Sequence, residues 1–110
     1  MIDALFYRNP NGDITGFTIS GHAGYADCGK DIVCAAVSAM TSLVINTLEE
    51  VFYCGGNVEI DEDGKISYSL PQKAQASKES IGILCGFKLQ LEEYASEYPK
   101  NINVRFGQSK

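Results

Sequence analysis

Residues 14–52 read ITGFTISGHAGYADCGKDIVCAAVSAMTSLVINTLEEVF, and the hydrophobic period changes within them. Ile14-Thr15-Gly16-Phe17-Thr18-Ile19 alternates, as a strand with one buried face does. Val33, Ala36, Val37, Met40, Leu43, Val44, Leu48, Val51 and Phe52 instead recur at spacings of three and four, the mark of a helix with one apolar face. The glycine-rich residues 21–30 join the two patterns. This stretch therefore predicts a strand, a loop and a helix of about five to six turns, with Asp31 placed to cap the helix start.

Upstream, Ile2 to Tyr7 alternates before the turn cluster Asn9-Pro10-Asn11-Gly12-Asp13, so these residues and the strand after them spell a β-hairpin. Cys54-Gly55-Gly56 ends the helix. Val58 to Asp61 and Ile66 to Leu70, joined by an Asp63-Gly64 turn, spell a second hairpin. A second helical pattern starts at Ser77 or Ser80, carries Ile81, Leu84, Cys85, Leu91 and Tyr94, and stops at Tyr98 before Pro99. Ile102-Asn103-Val104-Arg105-Phe106 alternates as a last strand. The order ββαββαβ points to an α+β fold, a two-layer sandwich with one mostly antiparallel sheet and two helices packed on one face. Residues 1–110 read as a single domain, with Pro71-Gln72-Lys73-Ala74-Gln75-Ala76 as its exposed connection. The second sheet face stays open, for polar residues, a dimer contact or a substrate groove.

Fourteen acidic against nine basic residues give a net charge of −5. That balance argues against nucleic acid as a direct partner, because phosphate binding rests on clustered Lys and Arg, and it favours encounter with a basic protein or peptide. The four cysteines, Cys28, Cys34, Cys54 and Cys85, form no C-x-x-C pair, and with a single histidine they assemble no zinc-site spacing. No metal and no cofactor is expected. Met-Ile-Asp-Ala-Leu-Phe-Tyr-Arg is not a signal sequence, and no apolar run approaches the ~20 residues of a membrane helix. The expectation is a cytoplasmic protein with no membrane partner and no disulfides.

The single histidine, His22, precedes Cys34 by twelve residues. A thiol attacks as thiolate, and a neighbouring imidazole or helix N-terminus promotes that form. With His22 at the end of the second strand and Cys34 in the first turn of the helix, the two can converge at one sheet edge as base and nucleophile, and free N–H groups of the helix terminus can hold an oxyanion. Asp31, and with it Asp27, can orient His22, although a carboxylate also opposes thiolate formation and Asp31 serves equally as a cap. Ser38, one turn beyond Cys34, can reach the site or bond back to a main-chain carbonyl. Gly21, Gly24 and Gly29 read as a flexible loop, either a lid over the thiol or simple turn glycines. The competing readings are that Cys34 merely fills core and the chain is a non-enzymatic binding module for a basic protein, or that Cys34 and Cys28 form a redox pair.

Gly21-His22-Ala23, Gly29-x-Asp31-Ile32-Val33-Cys34-Ala35-Ala36 and Ser38-Ala39 together resemble the motif of the bacterial ribosomal-processing cysteine protease family, and the ββαββαβ order resembles that family's domain over the whole chain. The resemblance implies that Cys34 is the nucleophile and His22 the proton carrier, and that the enzyme is a homodimer. It also implies a substrate, the N-terminal extension of a large-subunit ribosomal protein, cut after an aromatic pair.

Overall fold

The computed structural model describes residues 1–21, 28–72 and 77–107. His22, Gly24, Asp27, positions 73–76 of the exposed connection, and the side chains of Cys28 and Asp31 lie outside the described residues. The elements are β1 (Ile2–Arg8), β2 (Ile14–Ser20), α1 (Cys28–Asn46), β3 (Asn57–Ile60), β4 (Ile66–Ser69), α2 (Lys78–Glu97) and β5 (Ile102–Gly107), with a π-helical turn at Thr47–Val51 continuing α1.

The strands form one sheet in the order β3-β4-β2-β1-β5. All pairings are antiparallel except β1 with β5, which is parallel. The first hairpin turns where Asn9 directs it: its Oδ1 accepts from the N–H groups of Asn11 at 2.9 Å and Asp13 at 3.0 Å. Asp61 does the same in the second hairpin, accepting from Asp63 N at 2.9 Å and Lys65 N at 3.0 Å, while Gly64 takes the left-handed φ of 83° that the turn demands.

Alternation sends Ile2, Ala4 and Phe6 of β1, Phe17 and Ile19 of β2, and Tyr68 of β4 to one face, where both helices cover them. From α1 and its π-helical turn come Val33, Val37, Val44 and Leu48; from α2, Leu84, Phe87 and Leu91. Phe87 stands edge-on to Phe17, with ring centroids 5.0 Å apart, and to Phe6 at 5.7 Å. These T-shaped contacts add to area burial. The opposite face is polar. A row of hydroxyls runs across it from Tyr7 to Thr18 at 2.9 Å and on to Ser67 at 3.0 Å, which is how Thr18 comes to be buried there.

The structure corrects the reading of α1 at both ends. The helix begins at Cys28 rather than at Asp31, so Asp31 lies within its first turn instead of capping it, Gly29 belongs to the helix, and Cys34 falls in the second turn. Cys28 and Cys34, six residues apart on one helix, are separated by about 9 Å along its axis, beyond the reach of a disulfide. At the far end Phe52 N–H bonds to Thr47 O at 3.0 Å, closing the π turn, and Cys54 N–H bonds to Leu48 O at 2.9 Å. Tyr53, not a glycine, takes the left-handed φ of 50° that ends the helix. A further correction concerns the apolar run: the helical stretch Ile32–Val51 is long and apolar enough, by length and composition, to cross a membrane. It combines two apolar sides, one against the sheet and one carrying exposed Ile32, Leu43 and Val51.

Ser77 settles the start of α2, its Oγ accepting from Ser80 N at 3.1 Å as an N-cap. Tyr68, buried against Phe17, donates its hydroxyl to Glu49 Oε2 at 2.7 Å, and Gly56 N–H reaches the same oxygen at 2.9 Å. Burial, reinforced by that hydrogen bond and by the Glu49 charge, pushes the Tyr68 phenol well above its usual range. Gly56 has a steric role here, because a Cβ at that position would collide with the Tyr68 hydroxyl.

Candidate active site

Cys34 is half-buried, packed on one side against the core cluster and open on the other to a cleft of about 330 Å³. Four pieces of chain build that cleft, the first being the start of β1 with Ile2. The end of β2 supplies Ile19, Ser20 and Gly21; α1 supplies Cys34, Val37, Ser38, Thr41 and Ser42; and the β3–β4 hairpin supplies Ile60, Gly64 and Ile66. The α1 residues fall at offsets of three, four, seven and eight from Cys34, so they share its flank of the helix.

Gly21 has a fixed geometry. Its φ is 60°, and a Cβ there would run into the carbonyl oxygen of Met1, so only glycine fits where β2 leaves the sheet. The chain thus passes Cys34's cleft at Gly21, one residue before His22 in the sequence. Thr41 donates its hydroxyl to Val37 O at 2.7 Å, the back-bonding pattern considered for Ser38; Ser38 itself is exposed and lines the cleft.

Among the residues singled out from sequence, the structure brings Cys34, Ser38 and Gly21 together. His22 and Gly24 lie outside the described residues, and Asp31 and Gly29 are placed by backbone alone, in the first turn of α1. The shift of the helix start moves the terminal N–H groups, which are the oxyanion donors read from the sequence, to residues 28–31, about a turn from Cys34. The Cys34 Cα–Cβ bond tilts back toward that end, as on any α-helix. The hairpin residues Ile60, Gly64 and Ile66 escaped the sequence reading, because nothing in local spacing relates residue 60 to residue 34. Thr41 and Ser42 carried a usable signal, the helical offset from Cys34.

The cleft presents a half-exposed thiol beside hydroxyls and aliphatic walls, with no charged side chain among its described lining residues. That is a site where sulfur can meet an electrophile. A sequence model of the family described as cysteine protease Prp matches residues 1–103. The ribosomal processing cysteine protease Prp of Bacillus subtilis is 29% identical over 107 residues, spanning 94% of this chain and 96% of that protein. Its namesake in Staphylococcus aureus is 26% identical over 106 residues, spanning 96% and 99%. A crystal structure from Streptococcus mutans superposes with a TM-score of 0.88 at 27% identity, covering 99% of this chain and 96% of that one. The S. aureus processing protease Prp, solved with a covalently linked product peptide, superposes with a TM-score of 0.84 at 25% identity, covering 97% and 100%. A family match over nearly the whole chain, borne on a fold that places a cysteine in a cleft, makes this chain a cysteine protease belonging to the Prp family.

Proposed function

We propose that the chain is an endopeptidase in which Cys34 is the nucleophile and His22 the general acid and base, and that it removes the N-terminal extension of a large-subunit ribosomal protein, cutting after an aromatic pair. The observation that carries this reading is the cleft that holds Cys34 and Gly21 together, one residue ahead of His22. The relatives named as ribosomal processing proteases support a ribosomal substrate. The acidic surface, at net charge −5, suits a basic ribosomal protein.

In this mechanism His22 takes the Cys34 thiol proton and the sulfur attacks the scissile carbonyl carbon. The tetrahedral intermediate collapses to a thioester as the C–N bond breaks, and His22 gives its proton to the departing amine, the new N-terminus of the mature protein. Water, deprotonated by His22, then attacks the thioester; the extension leaves as a carboxylic acid and the thiol is restored. Asp31 and Ser38 are supporting groups, one to orient His22 and the other to touch the substrate from the α1 flank.

The enzyme works in the cytoplasm as a homodimer on this reading, and the exposed Ile32, Leu43 and Val51 on the outer side of the first helix support a second copy packing there. Incubation with a peptide carrying an aromatic-ending extension, followed by mass spectrometry, tests the proposal. Cleavage at one bond by the native chain, and none by Cys34→Ala or His22→Ala, is the expected result. A folded native protein that holds the peptide without cutting it would instead favour a binding role, and sedimentation as a monomer would remove the dimer.

A further inference from the structure

We infer that the β3–β4 hairpin is the specificity element of this protease, with Ile60 and Ile66 forming the wall that receives an uncharged apolar side chain of the substrate next to Cys34. The inference rests on the protease reading and adds to it the residues that choose the substrate. The cleft runs without a break from Cys34 on α1 to the hairpin, where Ile60, Gly64 and Ile66 close it. Ile60 and Ile66 face each other across the strand pair. Because the next pair out, Asp61 and Lys65, is bridged from Asp61 N to Lys65 O at 3.0 Å, alternation makes Ile60 and Ile66 a pair without hydrogen bonds, the kind whose side chains lie closest. They present one continuous aliphatic surface. Asp61 holds the turn beneath them through its two backbone hydrogen bonds, so the wall is positioned without help from the substrate.

Ile60 is 67% exposed on a short edge strand, where it contributes little to the core. An isoleucine held open at the mouth of the nucleophile's cleft gains burial only when something enters. Thr41 also lines the cleft, and its hydroxyl proton is already given to Val37 O at 2.7 Å. The described lining residues of the hairpin side are Ile60, Gly64 and Ile66, which offer an entering side chain apolar contact and no charge-assisted hydrogen bond. The volume, about 330 Å³, is at the small end of ligand clefts and takes a side chain or two.

The test compares native enzyme with Ile60→Ala and Ile60→Asp on a peptide set that varies one residue beside the scissile bond through Phe, Leu, Ala and Lys. Two readouts are kept apart: kcat/KM for each peptide, and the rate at which iodoacetamide alkylates Cys34, which requires a competent thiol and a folded site but no specificity wall. Alanine at 60 is expected to narrow the preference for the large apolar peptides over the Ala peptide by about tenfold or more. Aspartate is expected to raise the Lys peptide relative to Phe, with alkylation near native in both variants. If every peptide goes uncut by native enzyme whose thiol alkylates normally, the protease reading falls and this inference with it. If cleavage persists with the same ranking in both variants, the hairpin alone is overturned.

Discussion

Cys34 touches the core with one side and the cleft with the other, so alanine in its place removes a single sulfur without opening a large void. The expected result for Cys34→Ala is loss of cleavage by about four orders of magnitude or more, with a circular dichroism spectrum and melting midpoint close to native. Tyr68 holds the sheet to the end of the first helix. Its hydroxyl gives Glu49 one of two donors to the same oxygen, and Tyr68→Phe is expected to cost about 1–2 kcal/mol in urea unfolding. Because the folded phenol titrates above the unfolded one, the tyrosine's contribution is complete below about pH 10 and is lost as pH rises past it, by up to about 1.4 kcal/mol per unit. The phenylalanine variant should show an alkaline stability profile shallower by that single proton. Cys34 and His22 could be singled out from sequence because the chain has one imidazole, and of its four thiols Cys34 follows it by twelve residues near the start of a helical pattern. Gly21's role was hidden, since its glycine is dictated by the Met1 carbonyl, a contact made twenty residues away in sequence.

Among the elements, both hairpins were legible because each is written in short-range code, alternation and a turn containing Asx and glycine, whereas the start of α2 was narrowed only to Ser77 or Ser80, two serines of which the first accepts from the N–H of the second. Ser77→Ala is expected to destabilise the protein by about 0.5–2 kcal/mol, measured by chemical denaturation. The boundaries of α1 were not legible. Its first turn, from Cys28, contains Gly29 and lacks the apolar periodicity that marks the rest, so pattern alone placed the start at Asp31. Its last turn widens into a π-helix, and the left-handed residue beyond it is Tyr53 where glycine would be the natural choice. Tyr53 is exposed and its φ is 50°, so Tyr53→Gly should relieve backbone strain at little loss of packing. A gain of about 0.5–1 kcal/mol is expected, after the greater freedom of the unfolded glycine is subtracted; a loss would mean that the tyrosine ring makes contacts that matter.

For the molecule as a whole, the sheet and its two helices follow from which strand faces are apolar, and the α+β class could be read from the chain on that basis. Neither the pairing of β1 with β5 in parallel nor the meeting of hairpin and α1 around the cleft was readable, because both depend on contacts between distant segments. The β1–β5 pairing is fastened on the open face by Arg105, whose Nη2 lies 2.8 Å from Asp3 Oδ2. That hydrogen bond, chiefly, holds the Asp3 carboxyl below its usual value. The contribution is therefore present at neutral pH and is lost as pH falls through the acid range. Asp3→Asn should flatten the acid limb of the stability curve slightly, since the pair is solvent-exposed and screened. The net charge of −5 gives a kinetic expectation as well: KM for a basic peptide should rise with ionic strength while kcat changes little. The central claim, that peptide cleavage proceeds through Cys34, is tested most directly by acid-quenching the reaction within its first turnovers and locating the covalent intermediate by mass spectrometry. The expected result is an adduct on Cys34 with the mass of the released extension less one water, absent from Cys34→Ala. An adduct on another residue, or a Cys34→Ala protein that cuts as fast as native, would contradict it.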